Sequence, residues 1–240
     1  MKPLVTVITP TTGAHYLRQA IESVQHQTYS RIQHLVVVDG EHPKAIPILQ
    51  DYPHLDVIKL PYATGVDRFN GHRIYGASIY LARGDYICFL DEDNWFDPNH
   101  IESLVNLTTE NSWSYSLRKI VDSDGKYICN DDCESLGMWP SFLNEQDYFV
   151  DVGCFFLPKA FALQTSLIWY RKAREPNVPE VDRYLTAVLR NNNLTCQTNG
   201  LYTLNYRAGN TALSVQSSFF MHGNKIMEQR YNGELPWKKT

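Results

Sequence analysis

Apolar runs and helical stripes alternate along the first hundred residues. Residues 4–9, LVTVIT, are rich in β-branched side chains and predict a buried strand. Tyr16, Leu17, Ala20, Ile21 and Val24 then recur at helical spacing, the stripe of an amphipathic helix. Residues 33–39 predict a second strand, 43–50 a helix and 56–60 a short third strand. Residues 70–83 predict a helix, with Gly84 as its C-terminal cap, because glycine enters the left-handed region without steric cost. Residues 85–90, DYICFL, predict a fourth strand. Asp97-Pro98-Asn99-His100 predicts another helix start, with Asp97 as N-cap and Pro98 in the first helical position. This alternation predicts an α/β fold, a mainly parallel sheet flanked by helices.

The pattern is less regular beyond residue 110. Residues 115–121 and 126–129 flank Asp122-Ser123-Asp124-Gly125, which reads as a hairpin turn. Residues 151–157 predict a strand and 179–190 a helix. After Tyr206 the chain is polar and rich in turn residues, so loops are expected there, with a short helix near 223–231.

Composition narrows the class. With 43% hydrophobic and 20% charged residues in 240, the chain can bury a core and is not disordered. A net charge of −4, with no basic run beyond Lys238-Lys239, argues against nucleic acid as a partner. No apolar stretch approaches the ~20 residues of a membrane helix, and the N-terminus does not read as a signal peptide. The odd, scattered set Cys88, Cys129, Cys133, Cys154 and Cys196 suits reduced thiols, and with it a cytoplasmic location. No linker or repeat divides residues 1–240, so a single domain is expected.

In open α/β sheets, ligands bind beyond the carboxyl ends of the strands. Three such ends carry suggestive residues: Thr9-Pro10-Thr11-Thr12-Gly13, Asp39-Gly40-Glu41 and Asp91-Glu92-Asp93. Carboxylates one residue apart where a strand gives way to a loop can converge on Mg²⁺ or Mn²⁺, which prefer oxygen ligands and share them with phosphate. The competing reading is an acidic start to the following helix, favoured by its dipole.

At this point the chain resembles family 2 glycosyltransferases of the GT-A fold. The resemblance is carried by Pro3-Leu4-Val5-Thr6-Val7-Ile8-Thr9-Pro10-Thr11, then Leu17-Arg18-Gln19-Ala20-Ile21-Glu22-Ser23-Val24, then Val36-Val37-Val38-Asp39-Gly40. Residues 82–93, ending in Asp91-Glu92-Asp93, resemble the segment leading into that family's DxD motif. It implies a Rossmann-like nucleotide-sugar half over about residues 1–110 and a less regular acceptor-side half over about 111–240. It also implies sugar transfer with inversion from a nucleoside-diphosphate sugar, a UDP-sugar foremost, to an acceptor hydroxyl. The acceptor would be a glycan, a lipid-linked sugar or a small molecule, and the setting polysaccharide assembly, with peripheral docking at the membrane where the acceptor is lipid-linked. By carry-over, Thr9, Pro10, Thr11 and Asp39 would hold the nucleoside, and Arg73 the diphosphate. Asp93 would be the main ligand of Mn²⁺ or Mg²⁺, with Asp91 near the metal or the ribose. Asp182, or Glu180, would be the general base, His222 a late metal ligand, and Trp139 a platform for the acceptor sugar.

The chain departs from the family pattern in two strand-end loops, where Val38-Asp39-Gly40-Glu41 and Thr12-Gly13-Ala14-His15 replace the usual residues. Val181 also stands where an acid usually precedes the base. The alternatives are a non-catalytic nucleotide-sugar binder and a sugar-nucleotide-forming nucleotidyltransferase. The latter class usually carries Lys and Arg in the loop after the first strand, and Pro10-Thr11-Thr12-Gly13-Ala14 has neither.

Overall fold

The computed structural model describes residues 2–67, 69–109, 112–171, 181–192, 195–210 and 214–238. The first half alternates β1 (Val5–Thr11), α1 (Leu17–Gln25), β2 (Ile32–Val38), α2 (Ala45–Gln50), β3 (Asp56–Lys59), α3 (His72–Ser78) and β4 (Tyr86–Phe89). These strands pair in parallel, with β1 between β2 and β4 and β3 beyond β2. All seven residues of β1 are buried, as expected for a central strand covered on both faces. Leu17 and Ile21 of α1 pack with Val36 and Val38 of β2 and Leu49 of α2, while Ala20 and Val24 join the larger core.

The second half adds β5 (Trp95–Phe96), α4 (His100–Val105), β6 (Ser112–Val121), β7 (Tyr127–Asn130), β8 (Phe155–Pro158), α5 (Lys159–Thr165), α6 (Val181–Asn191), β9 (Thr195–Arg207) and α7 (Ser217–Arg230). One sheet runs through both halves in the order β3-β2-β1-β4-β8-β6-β9-β5, with β7 paired to β6. The join is β8, antiparallel to both β4 and β6. The expected α/β architecture is therefore present. No helix among the described residues is long and apolar enough to cross a membrane.

Several local expectations are corrected. Gly84 does not cap α3, whose C-cap is Ile79. It is a point of close approach: a Cβ there would lie 2.5 Å from the Thr6 nitrogen, and its own amide donates to Thr6 Oγ1 at 2.8 Å. Asp97 does not cap α4, which starts at His100 with Asn99 as N-cap. The Asp97 carboxylate is taken instead by Lys119 of β6 and by Asn205 Nδ2 of β9 at 2.8 Å. Residues 151–157 are not strand throughout: Asp151 accepts the Gly153 amide at 3.0 Å and opens a 3₁₀ turn over Val152–Cys154 before β8 begins. The unforeseen elements include α5, β5, β9 and a 3₁₀ turn at Ser166–Tyr170, and α7 is longer than expected.

Candidate active site

Because β1, β2 and β4 are adjacent and parallel, their carboxyl ends open on one edge. Thr11 pairs with Val38, so Asp39 follows directly beside it, and Asp91 lies two residues past the end of β4. The loops there enclose a cleft of about 700 Å³ lined by, among others, Pro10, Thr11, Asp39, Asp91, Asp93 and Arg207.

Asp39 is buried, and its carboxylate is largely engaged. Oδ1 accepts from the Thr64 amide at 2.6 Å and the Thr64 hydroxyl at 2.8 Å, and Oδ2 from the Gly65 amide at 2.8 Å. Asp39 thus pins the 64–65 loop over the end of β2. Glu92, the middle acid of the strand-end trio, turns toward the other wall. It accepts the Thr11 hydroxyl at 2.6 Å, the Thr12 amide at 2.9 Å, the Thr12 hydroxyl at 2.8 Å and the Ala14 amide at 2.8 Å. This one side chain holds the loop between β1 and α1.

Asp91 and Asp93 flank Glu92, both partly buried on the cleft wall. Tyr75 of α3 donates its hydroxyl to Asp91 Oδ1 at 2.5 Å. Withdrawal from water, and next the nearby Asp93 charge, push the Asp91 carboxyl up to about 7. Asp93 is raised as well, chiefly by burial, against the hydrogen bond from Asn210 Nδ2 to its Oδ2 at 2.6 Å. Among the described residues neither carboxylate forms an ion pair. Nor do those residues hold any group of three or more His, Cys, Asp or Glu able to cage a metal. A pair of under-compensated carboxylates opening on a cleft fits Mg²⁺ or Mn²⁺, which often take only one or two protein carboxylates and complete their shell with water and phosphate.

Arg207 closes the end of β9 against this loop. It is 3% exposed, and burial foremost pulls its pKa below the ordinary guanidinium value. Its Nε donates to the Asp93 carbonyl at 3.0 Å, Nη1 to the Ser123 carbonyl at 2.6 Å and Nη2 to Gln19 Oε1 at 2.7 Å, with the Tyr16 ring 4.0 Å away. Most of its donors are consumed in holding backbone.

The other expected site residues lie elsewhere. Thr9 is fully buried one pleat short of the edge, its hydroxyl 2.9 Å from His34 Nε2, and is not among the cleft-lining residues. Arg73 does not line the cleft either: its guanidinium stacks 3.4 Å over Phe69 and donates to the Thr64 carbonyl at 3.3 Å, buttressing the loop that Asp39 holds. His222 is exposed on α7, 6.2 Å from the Phe142 ring, and Trp139 packs edge-on against Trp237 at 5.9 Å; neither reaches the cleft lining. Asp182 stands in the first turn of α6, where its Oδ1 accepts the Arg183 amide at 2.8 Å, also outside that lining. Glu180 lies outside the described residues.

A buried charge network behind the cleft escaped the sequence reading. Arg118 of β6, 2% exposed, donates to Asp131 at 2.7 Å, to Glu134 at 2.6 Å and to Asp151. Glu134 also takes Arg183 of α6, whose other arm holds Asp147 at 2.5 Å. The Asp151 charge contributes to raising Asp91, so the network reaches the cleft electrostatically. The signal lay in Asp131-Asp132-Cys133-Glu134, an acidic run following a hairpin.

Known proteins show the same arrangement of chain. The sequence profile of glycosyl transferase family 2 matches residues 6–133, more than half of the chain, and the chain belongs to that family. An uncharacterised glycosyltransferase of Rickettsia bellii is 31% identical over 138 residues, 52% of this chain. The chain spans only 19% of that protein's length. In fold, the chain is similar to S. aureus TarS 1-349 in complex with UDP-GlcNAc, at a TM-score of 0.63 and 15% identity, covering 98% of this chain and 68% of that one. It is also similar to the mannosyltransferase PcManGT of Pyrobaculum calidifontis in complex with GDP-Man and Mn²⁺, at a TM-score of 0.55 and 11% identity, covering 82% and 55%.

Proposed function

We propose that this chain is an inverting glycosyltransferase that moves a sugar from a nucleoside-diphosphate sugar to an acceptor hydroxyl. The observation that carries the reading is the pair Asp91 and Asp93, partly buried on the cleft wall, whose carboxylates form no ion pair among the described residues. Family membership supports it, as do the UDP-GlcNAc and GDP-Man complexes of proteins with the same fold. Residues 1–240 act as one unit in this reading, with the donor held by about 1–110 and the acceptor by about 111–240.

The Thr11 edge and the 64–65 loop pinned by Asp39 hold the nucleoside. Asp93 and Asp91 hold Mn²⁺ or Mg²⁺, which when bound neutralises diphosphate charge. Asp182 takes the proton from the acceptor hydroxyl, with Glu180 as the alternative base. The hydroxyl oxygen then forms a bond to the anomeric carbon. The bond from that carbon to the diphosphate oxygen breaks, and the nucleoside diphosphate leaves with the electron pair.

Calorimetric titration with UDP, GDP, CDP and dTDP, each with and without Mn²⁺, tests the donor site. One nucleotide should bind with metal, and Asp93→Asn should weaken it about tenfold or more, the loss of a charge-assisted contact. If none of the four binds to folded protein with Mn²⁺ present, the donor-site reading fails. Asp182→Asn should then retain nucleotide binding and lose donor turnover. Turnover of the donor that survives in both Asp182→Asn and Glu180→Gln would remove these acids as the base.

A further inference from the structure

A second concave site lies along one face of α6, apart from the cleft. It encloses about 470 Å³, and its lining includes Asp147, Tyr148, Arg183, Tyr184 and Arg190. None of these residues lines the cleft. Two of the charges compensate each other locally, because Asp147 is bound by Arg183. Arg190 is different. Its guanidinium lies 3.2 Å over the Tyr148 ring, and among the described residues its side chain makes no hydrogen bond or ion pair. A guanidinium held over a ring face by a cation–π contact does not spend its N–H donors on that ring, and its fork can grip a carboxylate or phosphate with two bonds. Across the site, Tyr184 is 42% exposed, and the Arg171 guanidinium stands 3.9 Å over its ring. Arg171 likewise has no ion pair among the described residues. Among the described residues, Arg190 therefore brings an unpaired guanidinium to a cavity lined by Tyr148 and Tyr184, with Arg171 over the Tyr184 ring, in a chain whose net charge is −4.

We infer that this site binds a negatively charged sugar residue, one bearing a carboxylate or a phosphate, with the anion on Arg190 and the ring against the tyrosines. The assignment to the acceptor rests on the proposed transferase reading. Asp182 and Arg190 belong to the same helix, eight residues apart, which is about 12 Å along its axis at about 1.5 Å per residue. A glycan seated here would extend along α6 toward the proposed base, so the site selects acidic acceptor chains.

The test is titration of the full chain with trigalacturonate, its methyl ester and galactose 6-phosphate, using wild type, Arg190→Gln, Arg190→Lys and Asp93→Asn. Trigalacturonate or galactose 6-phosphate should bind wild type and Asp93→Asn equally, and whichever binds more tightly identifies the anion. Arg190→Gln should weaken that binding about tenfold, and Arg190→Lys less, because lysine keeps the charge and loses the fork. The neutral ester should bind wild type no better than trigalacturonate binds Arg190→Gln. Unfolding midpoints of the Arg190 variants within a few degrees of wild type establish that they fold, and Arg190→Lys carries the comparison if Arg190→Gln does not. Equal affinity for ester and acid, unchanged affinity in Arg190→Gln, or no binding of either anionic probe to wild type overturns the inference. UDP with Mn²⁺ is titrated in parallel. Its failure to bind, beside intact trigalacturonate binding, would sink the donor-site reading while leaving the anionic sugar site standing.

Discussion

Within the strand-end trio, three neighbouring acids do different work because their side chains leave the backbone in different directions. Glu92 satisfies two hydroxyls and two amides of the loop after β1. Hydrogen bonds to charged groups are each worth roughly 1.5–3 kcal/mol when buried, and less here, where part of the set is exposed. Glu92→Ala should therefore cost about 2 kcal/mol in urea unfolding and loosen the Thr11 edge, weakening nucleotide binding about tenfold. Glu92→Gln keeps an acceptor oxygen and should recover part of both. An alanine variant with wild-type stability and affinity would show that the loop holds itself. Asp91 offers a second test through pH. Its carboxyl is raised from 3.8 to about 7 in the folded chain, so the folded state binds the proton more tightly than the unfolded state. The associated stability is fully present below pH ~4 and is lost as pH rises through about 7. Metal-free protein should melt lower at pH 8 than at pH 5, and Asp91→Asn should narrow that gap. Added Mn²⁺ should raise the midpoint more at pH 8 than at pH 5, because only the ionised carboxylates bind it. A gap unchanged in Asp91→Asn would assign the pH dependence to other groups.

At the scale of elements, legibility follows the range of the interaction that forms each one. β1, β2, β4 and α1 are readable because a buried parallel strand is mostly apolar and an amphipathic helix must repeat its stripe, while the edge strand β3 shows only the pair Val57-Ile58 between charged residues. β9 is not readable: TCQTNGLYTLNYR carries little apolar pattern, and pairing with β6 and β5 across the sheet makes it a strand. Gly84 shows the same divide. Its place after a helical stretch suggests a cap, but the reason for glycine is the Thr6 backbone, 78 positions away in the chain. Asp97 precedes a helix in sequence, yet Lys119 and Asn205 reach its carboxylate first. Of the candidate site, Pro10, Thr11, Asp39, Asp91 and Asp93 were legible because a parallel sheet brings the ends of adjacent strands together. Arg73, His222 and Trp139 were not, because nothing local indicates which way a helix or loop side chain faces once the second half has folded.

Across the whole molecule, the Arg118 network ties together separate elements of the second half of the chain. It joins β6, the segment after β7, the turn before β8 and, through Glu134 and Arg183, helix α6. Removing one partner of a buried ion pair strands the others in low dielectric, at a typical cost of about 3–5 kcal/mol. Arg118→Met leaves Asp131, Glu134 and Asp151 facing one another and should lower stability by about that much in denaturant titration. An unchanged midpoint would mean that those acids take up protons at no cost and that the network contributes no rigidity.

The amino-acid sequence alone determined the α/β alternation, the mainly parallel character of the sheet and the acids at its strand ends. The alternation follows from hydrophobic period, which acts over a few residues, and the parallel pairing from the rules that connect alternating strands and helices. Only the tertiary structure decided that Glu92, which lines the cleft with Asp91 and Asp93, is the acid that clamps a loop. It also decided that Asn210 and Arg207 reach back to Asp93, and that Arg118 gathers three carboxylates inside the protein. Those outcomes depend on contacts between residues far apart in the chain, whose geometry no local pattern encodes.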